Sequence, residues 1–185
     1  SELEELLKEV AKLIKRNKDR VRKILDEVRK LIKRNEDVSR RLLEDVERLI
    51  KELEREVRED RDKDKLKRKV EEVRKRIEEV LRTNERHSRE VAKEIKKVLD
   101  ELREHSEKVA RDIKRMLDDL RRKTRDKKVE DILRTLEELI RESERTSEEV
   151  LRELREEAEE SKRKSKRVND RIRELVEKVD REVDK

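Results

Sequence analysis

The stretch that decides the fold is residues 12–35, KLIKRNKDRVRKILDEVRKLIKRN. It opens and closes on the same six residues, and the two copies begin eighteen residues apart, at Lys12 and Lys30. Eighteen residues make five whole turns of an α-helix at about 3.6 residues per turn. Each residue type therefore returns to the same side of the helix. This repeat predicts a long, straight helix with little supercoil.

Aliphatic residues extend this pattern over the whole chain. Leu, Ile and Val recur at helical spacing in three equally long stretches, 3–57, 66–120 and 129–183, and the two gaps between them contain no apolar side chain. The pattern predicts three helices of about 57 residues each, at about 2–60, 63–123 and 127–184. We expect Asp62 or Asp64 to cap the second helix and Thr124 or Asp126 to cap the third.

The short connections predict an all-α, up-down-up bundle in which neighbouring helices are antiparallel and residues 1–185 form one domain. Position i of the first helix should then lie level with position 123 − i of the second and i + 126 of the third. The chain has no Gly to end its helices in a left-handed residue, which leaves the paths of the turns open. A monomer is favoured, with a helix-swapped or self-associated oligomer as the alternative.

Composition excludes several classes of protein. The 185 residues are 61% charged and 30% hydrophobic, with no Cys and no aromatic residue. Near-balanced charge and regular apolar spacing argue against disorder. Without Cys there is no disulfide and no thiolate metal site, and no apolar run reaches the ~20 residues of a membrane span. We expect a soluble protein with no cofactor, no bound metal and no small-molecule ligand.

Polar residues interrupt the inward apolar series at matching heights. By the register rule, three small polar residues meet at each of three levels of the stack. These nine are Asn17, Ser106 and Ser143; Asn35, Ser88 and Ser161; and Ser39, Asn84 and Ser165. Asn and Ser side chains can satisfy one another as donors and acceptors, so the coincidence predicts buried hydrogen-bond layers that fix the helix register.

Four further residues are predicted to join these layers. His87 and His105 adjoin two of the layer serines and are themselves eighteen residues apart, and Thr146 and Ser147 flank the level of Asn17. The alternative for each histidine is a boundary position with its ring edge in water. Burial lowers the pKa of a neutral imidazole, so a histidine inside a layer would make the bundle weaker in acid.

Surface charge favours helix pairing over nucleic-acid binding. The net charge is +6, but a mainly basic segment, Lys12–Arg34, is expected to lie level with a mainly acidic one, Glu138–Glu160. Such complementary flanks select partners and orientation in helical bundles. The aromatic side chains that stack on bases are absent, so no nucleic-acid partner is expected.

The whole chain resembles the computationally designed helical bundles with buried hydrogen-bond networks. The Lys, Glu and Arg surface, the aliphatic layers and the inserted polar levels such as Asn17, Ser106 and Ser143 carry that resemblance. It implies a structural scaffold without natural activity, and members with histidine layers respond to pH. The sequence offers no nucleophile paired with a base, which is the arrangement that would indicate an enzyme. The alternative is a natural spectrin-like or coiled-coil spacer.

Overall fold

The computed structural model describes residues 2–183, with side chains through Arg181. It contains three α-helices in this part of the chain: α1 (Glu2–Glu59), α2 (Lys63–Lys123) and α3 (Lys127–Val183). The predicted all-α three-helix bundle, with helices of the predicted length, is confirmed. The predicted end of the third helix, at residue 184, lies outside the described residues.

Aspartate side chains build both turns. Asp62 caps α2, since its Oδ1 accepts hydrogen bonds from the backbone N–H groups of Asp64 (3.2 Å) and Lys65 (3.4 Å). Asp126 caps α3, with Oδ1 accepting from the N–H of Lys128 at 3.1 Å. No residue in the described range has a positive φ, so the turns form without the left-handed position that usually requires glycine.

The bundle divides into two compact units, each containing part of every helix. The first unit comprises the described residues through Arg29 together with Ile95–Glu156, and it includes the α2–α3 turn. The second unit comprises Lys30–Glu94 and the described residues from Glu157 onward, and it includes the α1–α2 turn.

An aliphatic cluster forms the core of the first unit. All three helices contribute to it, and its buried members are Val10, Val109, Ile113, Leu117, Leu120, Leu133, Leu136 and Ile140. Each such side chain stabilises the fold by about 1.5 to 3 kcal/mol relative to full exposure. Ion pairs from Lys114 to Glu144 (3.8 Å) and from Arg121 to Glu137 show that α2 and α3 are antiparallel in this unit.

The second unit has a core of the same kind. Its buried members are Val46, Ile50, Leu53, Val70, Ile77, Ile172 and Val179. Along α1 and α2, contacts advance in opposite directions, from the Ser39–Asn84 hydrogen bond to the Glu56–Lys69 ion pair at 2.8 Å. The predicted antiparallel order of neighbouring helices is therefore present here too.

Candidate functional site: two buried polar networks

A three-residue network crosses the core of the first unit. The Asn17 side chain, 4% exposed, donates from Nδ2 to Ser147 Oγ (3.1 Å) and accepts at Oδ1 from Ser106 Oγ (3.1 Å). One amide thereby joins all three helices, because α1 supplies Asn17, α2 supplies Ser106 and α3 supplies Ser147. The heights of these polar positions are matched closely enough for direct contact.

A seven-residue network crosses the core of the second unit. Its members are His87, Asn35, Ser161, Ser165, Ser39, Asn84 and Asn169. All except His87 are buried, and Asn84 is fully enclosed, with 0% exposure. The hydrogen bonds form one connected set, so a disturbance at any member leaves a neighbour without its partner.

Asn35 is the most connected member of the second network. Its Nδ2 donates to Ser165 Oγ (2.9 Å) and Ser161 Oγ (3.4 Å), while its Oδ1 lies 3.2 Å from Nδ1 of His87. The two amide hydrogens and the amide oxygen are all used. A buried amide satisfied this completely avoids the ~1 to 3 kcal/mol cost of an unmade hydrogen bond.

The remaining contacts extend the network toward α2 and back to α3. Ser39 Oγ donates to Asn84 Oδ1 at 2.7 Å and lies 3.4 Å from Ser165 Oγ. Asn84 Nδ2 then donates to Asn169 Oδ1, also at 2.7 Å. The two 2.7 Å contacts are the shortest in either network, and both involve the enclosed Asn84.

Four residues predicted for the layers lie outside both networks, namely His105 and the three hydroxyl residues Ser88, Ser143 and Thr146. Ser88 and Ser143 are half-buried, and within the described part of the chain neither hydroxyl bonds to a network residue. Thr146 is exposed, and its Oγ1 donates to the backbone carbonyl of Glu142 at 2.9 Å. That local bond along its own helix explains why Thr146 departs from the predicted layer.

The position of Ser147 corrects the expected level in the first unit. Asn17 contacts Ser147, one helical turn beyond the expected Ser143. The second unit shows the reason, because Asn35 reaches both Ser161 and Ser165. An asparagine on α1 that lies between two successive turns of α3 can bond to the serine on the later turn, as Asn17 does with Ser147. Toward α2 the expected level holds, in the Asn17–Ser106 and Ser39–Asn84 bonds.

His105 differs from the prediction that it would join the first network. Its ring is half-buried, yet Nε2 is fully shielded and has no hydrogen-bond partner among the described residues. Burial lowers the pKa of His105 below the ordinary 6.5, and the nearby positive charges of Arg20 and Lys108 lower the pKa further. The first unit therefore holds an imidazole with an unpartnered nitrogen in surroundings that favour its neutral form.

Asn169 belongs to the second network although it was not predicted. It is 6% exposed, and its Oδ1 accepts the hydrogen bond from Nδ2 of Asn84. Its spacing could have revealed it, since Asn169 lies four residues after Ser165 and three before the buried Ile172, on the inward side of α3. The register rule missed it because that rule sought partners for α1 residues, whereas Asn169 bonds to α2.

Open grooves border the networks. In the first unit a groove of about 520 Å³ between α2 and α3 is lined by Ser106, Ala110, Ser147 and Leu151, with charged residues on its rim.

Within residues 2–183, no three His, Asp or Glu side chains converge as a metal site would require. No helix in the described range is both long and apolar enough to cross a bilayer.

Fold and site together define a class, the three-helix bundle with buried Asn, Ser and His hydrogen bonds. The chain is similar to a solved structure described as a computationally designed three helix bundle, with a TM-score of 0.59 and 19% identity. The likeness covers 98% of this chain and 90% of the other, and at that identity it shows the fold. No protein-family model matches the sequence, and no curated protein matches it.

Proposed function

We propose that this protein is a de novo designed structural scaffold without natural activity, whose buried polar networks select the helix register. The observation that carries the proposal is the second network, in which seven side chains from three helices form one connected set of hydrogen bonds. The designed origin of the similar three-helix bundle supports it, as does the eighteen-residue repeat.

Register selection follows from what each kind of layer tolerates. An aliphatic layer that slides by one turn, about 5.4 Å, meets another aliphatic layer and loses little. A slide of α3 by one turn in the second unit would instead break the present bonds from Asn35 to Ser161 and Ser165 and from Asn84 to Asn169. Several buried polar atoms would then lose their partners, at about 1 to 3 kcal/mol each. The wrong register is excluded chiefly by this cost.

We also propose that residues 1–185 behave as a single, monomeric domain. The turns support this, because three-residue connections with side-chain caps at Asp62 and Asp126 favour pairing within one chain. Sedimentation equilibrium over a wide concentration range should give the monomer mass of 22.8 kDa. Urea unfolding should show one transition. A concentration-dependent mass or two separate transitions would contradict the corresponding part of this proposal.

A natural spectrin-like or coiled-coil spacer is the second candidate. The length of the three helices favours this candidate, since long bundles of this kind can serve as spacers between other domains. The eighteen-residue repeat favours a designed origin, as does the absence of Gly, Pro and aromatic residues from the chain. The two candidates share the structural role and differ in origin.

A polar-free variant tests register selection. The asparagines of both networks and His87 become leucine and the serines become alanine, at Asn17, Ser106, Ser147, Asn35, Ser39, Asn84, His87, Ser161, Ser165 and Asn169. We expect a folded protein whose amide NMR spectrum shows more than one set of peaks, because several registers have similar energy. The wild-type chain should show a single set.

A matched control exchanges the same number of aliphatic core residues, Leu for Ile or Ile for Leu, and keeps the networks. This control should retain one set of peaks, since the polar partners still specify one alignment. A polar-free variant with a single, wild-type-like set would show that aliphatic side chains alone determine the register, and the proposal would fail.

A further inference from the structure

The second network has a direction, because its hydroxyl groups each have one proton to donate. Ser39 Oγ lies 2.7 Å from Asn84 Oδ1, an amide oxygen that can only accept, so the Ser39 proton is used there. The 3.4 Å contact between Ser39 and Ser165 must then be donated by Ser165. Ser165 in turn accepts from Asn35 Nδ2 at 2.9 Å.

The direction of the hydrogen bonds at Asn35 also determines which ring nitrogen of His87 carries the hydrogen. Asn35 uses Nδ2 as the donor to both of its serine partners, which leaves Oδ1 facing Nδ1 of His87 at 3.2 Å. Because an amide oxygen has no proton to give, Nδ1 of His87 must carry the hydrogen of this bond. In a neutral imidazole the other nitrogen, Nε2, is then bare.

We infer that His87 is a positioning residue held as the Nδ1–H tautomer, the first donor of a one-way hydrogen-bond chain. The chain runs from His87 through Asn35, Ser165, Ser39 and Asn84 to Asn169. Every intermediate member both accepts and donates, so the bonds polarise one another in the same sense. The inference rests on the proposed function, since it specifies how the register network is oriented.

One-way donation makes the two ends of the chain unequal. At the beginning, position 87 must supply a donor at the δ nitrogen, because Asn35 offers it only an acceptor. At the end, Asn169 must present its amide oxygen to Asn84, because Asn84 approaches with its nitrogen. Reversing the orientation of any single amide would bring two donors or two acceptors together.

Nitrogen NMR of the imidazole rings tests the tautomer directly. Full-length protein labelled with ¹⁵N histidine is recorded at about pH 9, where an ordinary imidazole is neutral. We expect a protonated Nδ1 and a bare Nε2 for His87, with the His87→Asn variant providing its resonance assignment by loss of signal. A protonated Nε2, or a mixture averaging the two tautomers, would overturn the inference.

Two substitutions test the position of the donor. The amide nitrogen of asparagine can replace Nδ1, whereas that of glutamine lies closer to the place of Nε2. His87→Gln should therefore raise the unfolding equilibrium constant about fivefold more than His87→Asn, corresponding to one net hydrogen bond. Equal effects, or a larger one for His87→Asn, would contradict the directional chain.

The His87 tautomer and the proposed function can be tested separately. Both variants keep the Asn35, Ser165, Ser39 and Asn84 contacts, so the helix register measured between labels on α1 and α3 should stay single. If His87 has the other tautomer and the register is single, only the inference of one-way hydrogen bonding is overturned. Multiple registers in the wild-type chain would remove the proposed function itself.

Discussion

Buried polar groups are more completely hydrogen-bonded in the second unit than in the first. In the second unit, seven polar side chains satisfy one another, and Asn35 uses both amide hydrogens and its oxygen. In the first unit, Asn17 binds only two serines, and the buried Nε2 of His105 has no partner in the described structure. The eighteen-residue repeat places Asn17 and His105 in positions equivalent to Asn35 and His87.

Equivalent sequence positions therefore form different hydrogen bonds in the two units. His87 reaches the asparagine oxygen of its own unit, whereas the oxygen of Asn17 is already occupied by Ser106. In the first unit Ser106, not His105, donates to the asparagine oxygen, and His105 lies near the positive charges of Arg20 and Lys108. The first unit should therefore be the less stable and the more sensitive to acid.

The largest expected effect comes from removing the central amide of each network. Asn35→Ala leaves His87 and Ser161 without partners, removes the donor to Ser165 and opens a small cavity, which should cost about 3 kcal/mol of unfolding free energy. Asn17→Ala strands two serines, of which Ser106 is half-buried and can reach water, so about 1 to 2 kcal/mol is expected. Urea denaturation measures both. Equal losses would contradict the comparison.

A substitution of His105 should increase stability. His105→Leu removes a buried nitrogen that lacks a partner, so the free energy of unfolding at pH 7 should rise by about 1 kcal/mol. His87→Leu is the matched control, and it should lower stability because Asn35 Oδ1 would lose its donor. Thermal and urea unfolding report both changes. If the two leucine variants shift stability in the same direction, the assigned difference between the histidines is wrong.

Lowering the pH should further reduce the free energy of unfolding through His105. Burial and the charges of Arg20 and Lys108 lower its folded-state pKa, so the unfolded chain binds this proton first as the pH falls. Stability is fully retained above the unfolded pKa of about 6.5 and is lost as the pH drops from there through the folded pKa. The difference in unfolding free energy between wild type and His105→Leu should therefore widen between pH 7.5 and pH 5, while shared carboxylate effects cancel. Parallel pH profiles would disprove it.

The smallest effect concerns the two helix caps. Asp62 accepts two backbone N–H groups in the second unit, while Asp126 accepts one in the first. Asp62→Ala should cost about 1 kcal/mol and Asp126→Ala about 0.5 kcal/mol, within the usual range for loss of an N-cap. Denaturant midpoints measure both, with Asp64→Ala as an exposed control outside the cap. A larger loss at Asp126 would reverse this part of the comparison.

The sequence predicts the fold well because helical spacing and binary patterning act through the backbone. The apolar stripe predicts three helices, and charged gaps predict the turns near Asp62 and Asp126. Heights along neighbouring helices follow from counting residues, which is why Asn17 meets Ser106 and Ser39 meets Asn84. None of these inferences requires the orientation of a side chain.

Side-chain rotation limits what the sequence reveals of the networks. Counting places Ser143 level with Asn17 and Ser147 one turn further along α3, yet the Asn17 amide bonds to Ser147. Thr146 turns to its own helix, and His105 lies at a suitable height without finding an acceptor. Asn169 escapes prediction because its partner is Asn84, so a search extended to α2 and α3 would have found it.

Distances between spin labels test the central claim, register selection, most directly. The chain has no Cys, so labels attach only to cysteines introduced at two exposed positions of the second unit, Arg41 on α1 and Lys178 on α3. These sites are offset along the helix axis, so a slide of one turn, about 5.4 Å, changes the distance. We predict one narrow distance in the wild-type background and additional, displaced distances in the polar-free variant. A single identical distance in both backgrounds would contradict the claim that buried polar contacts choose the register.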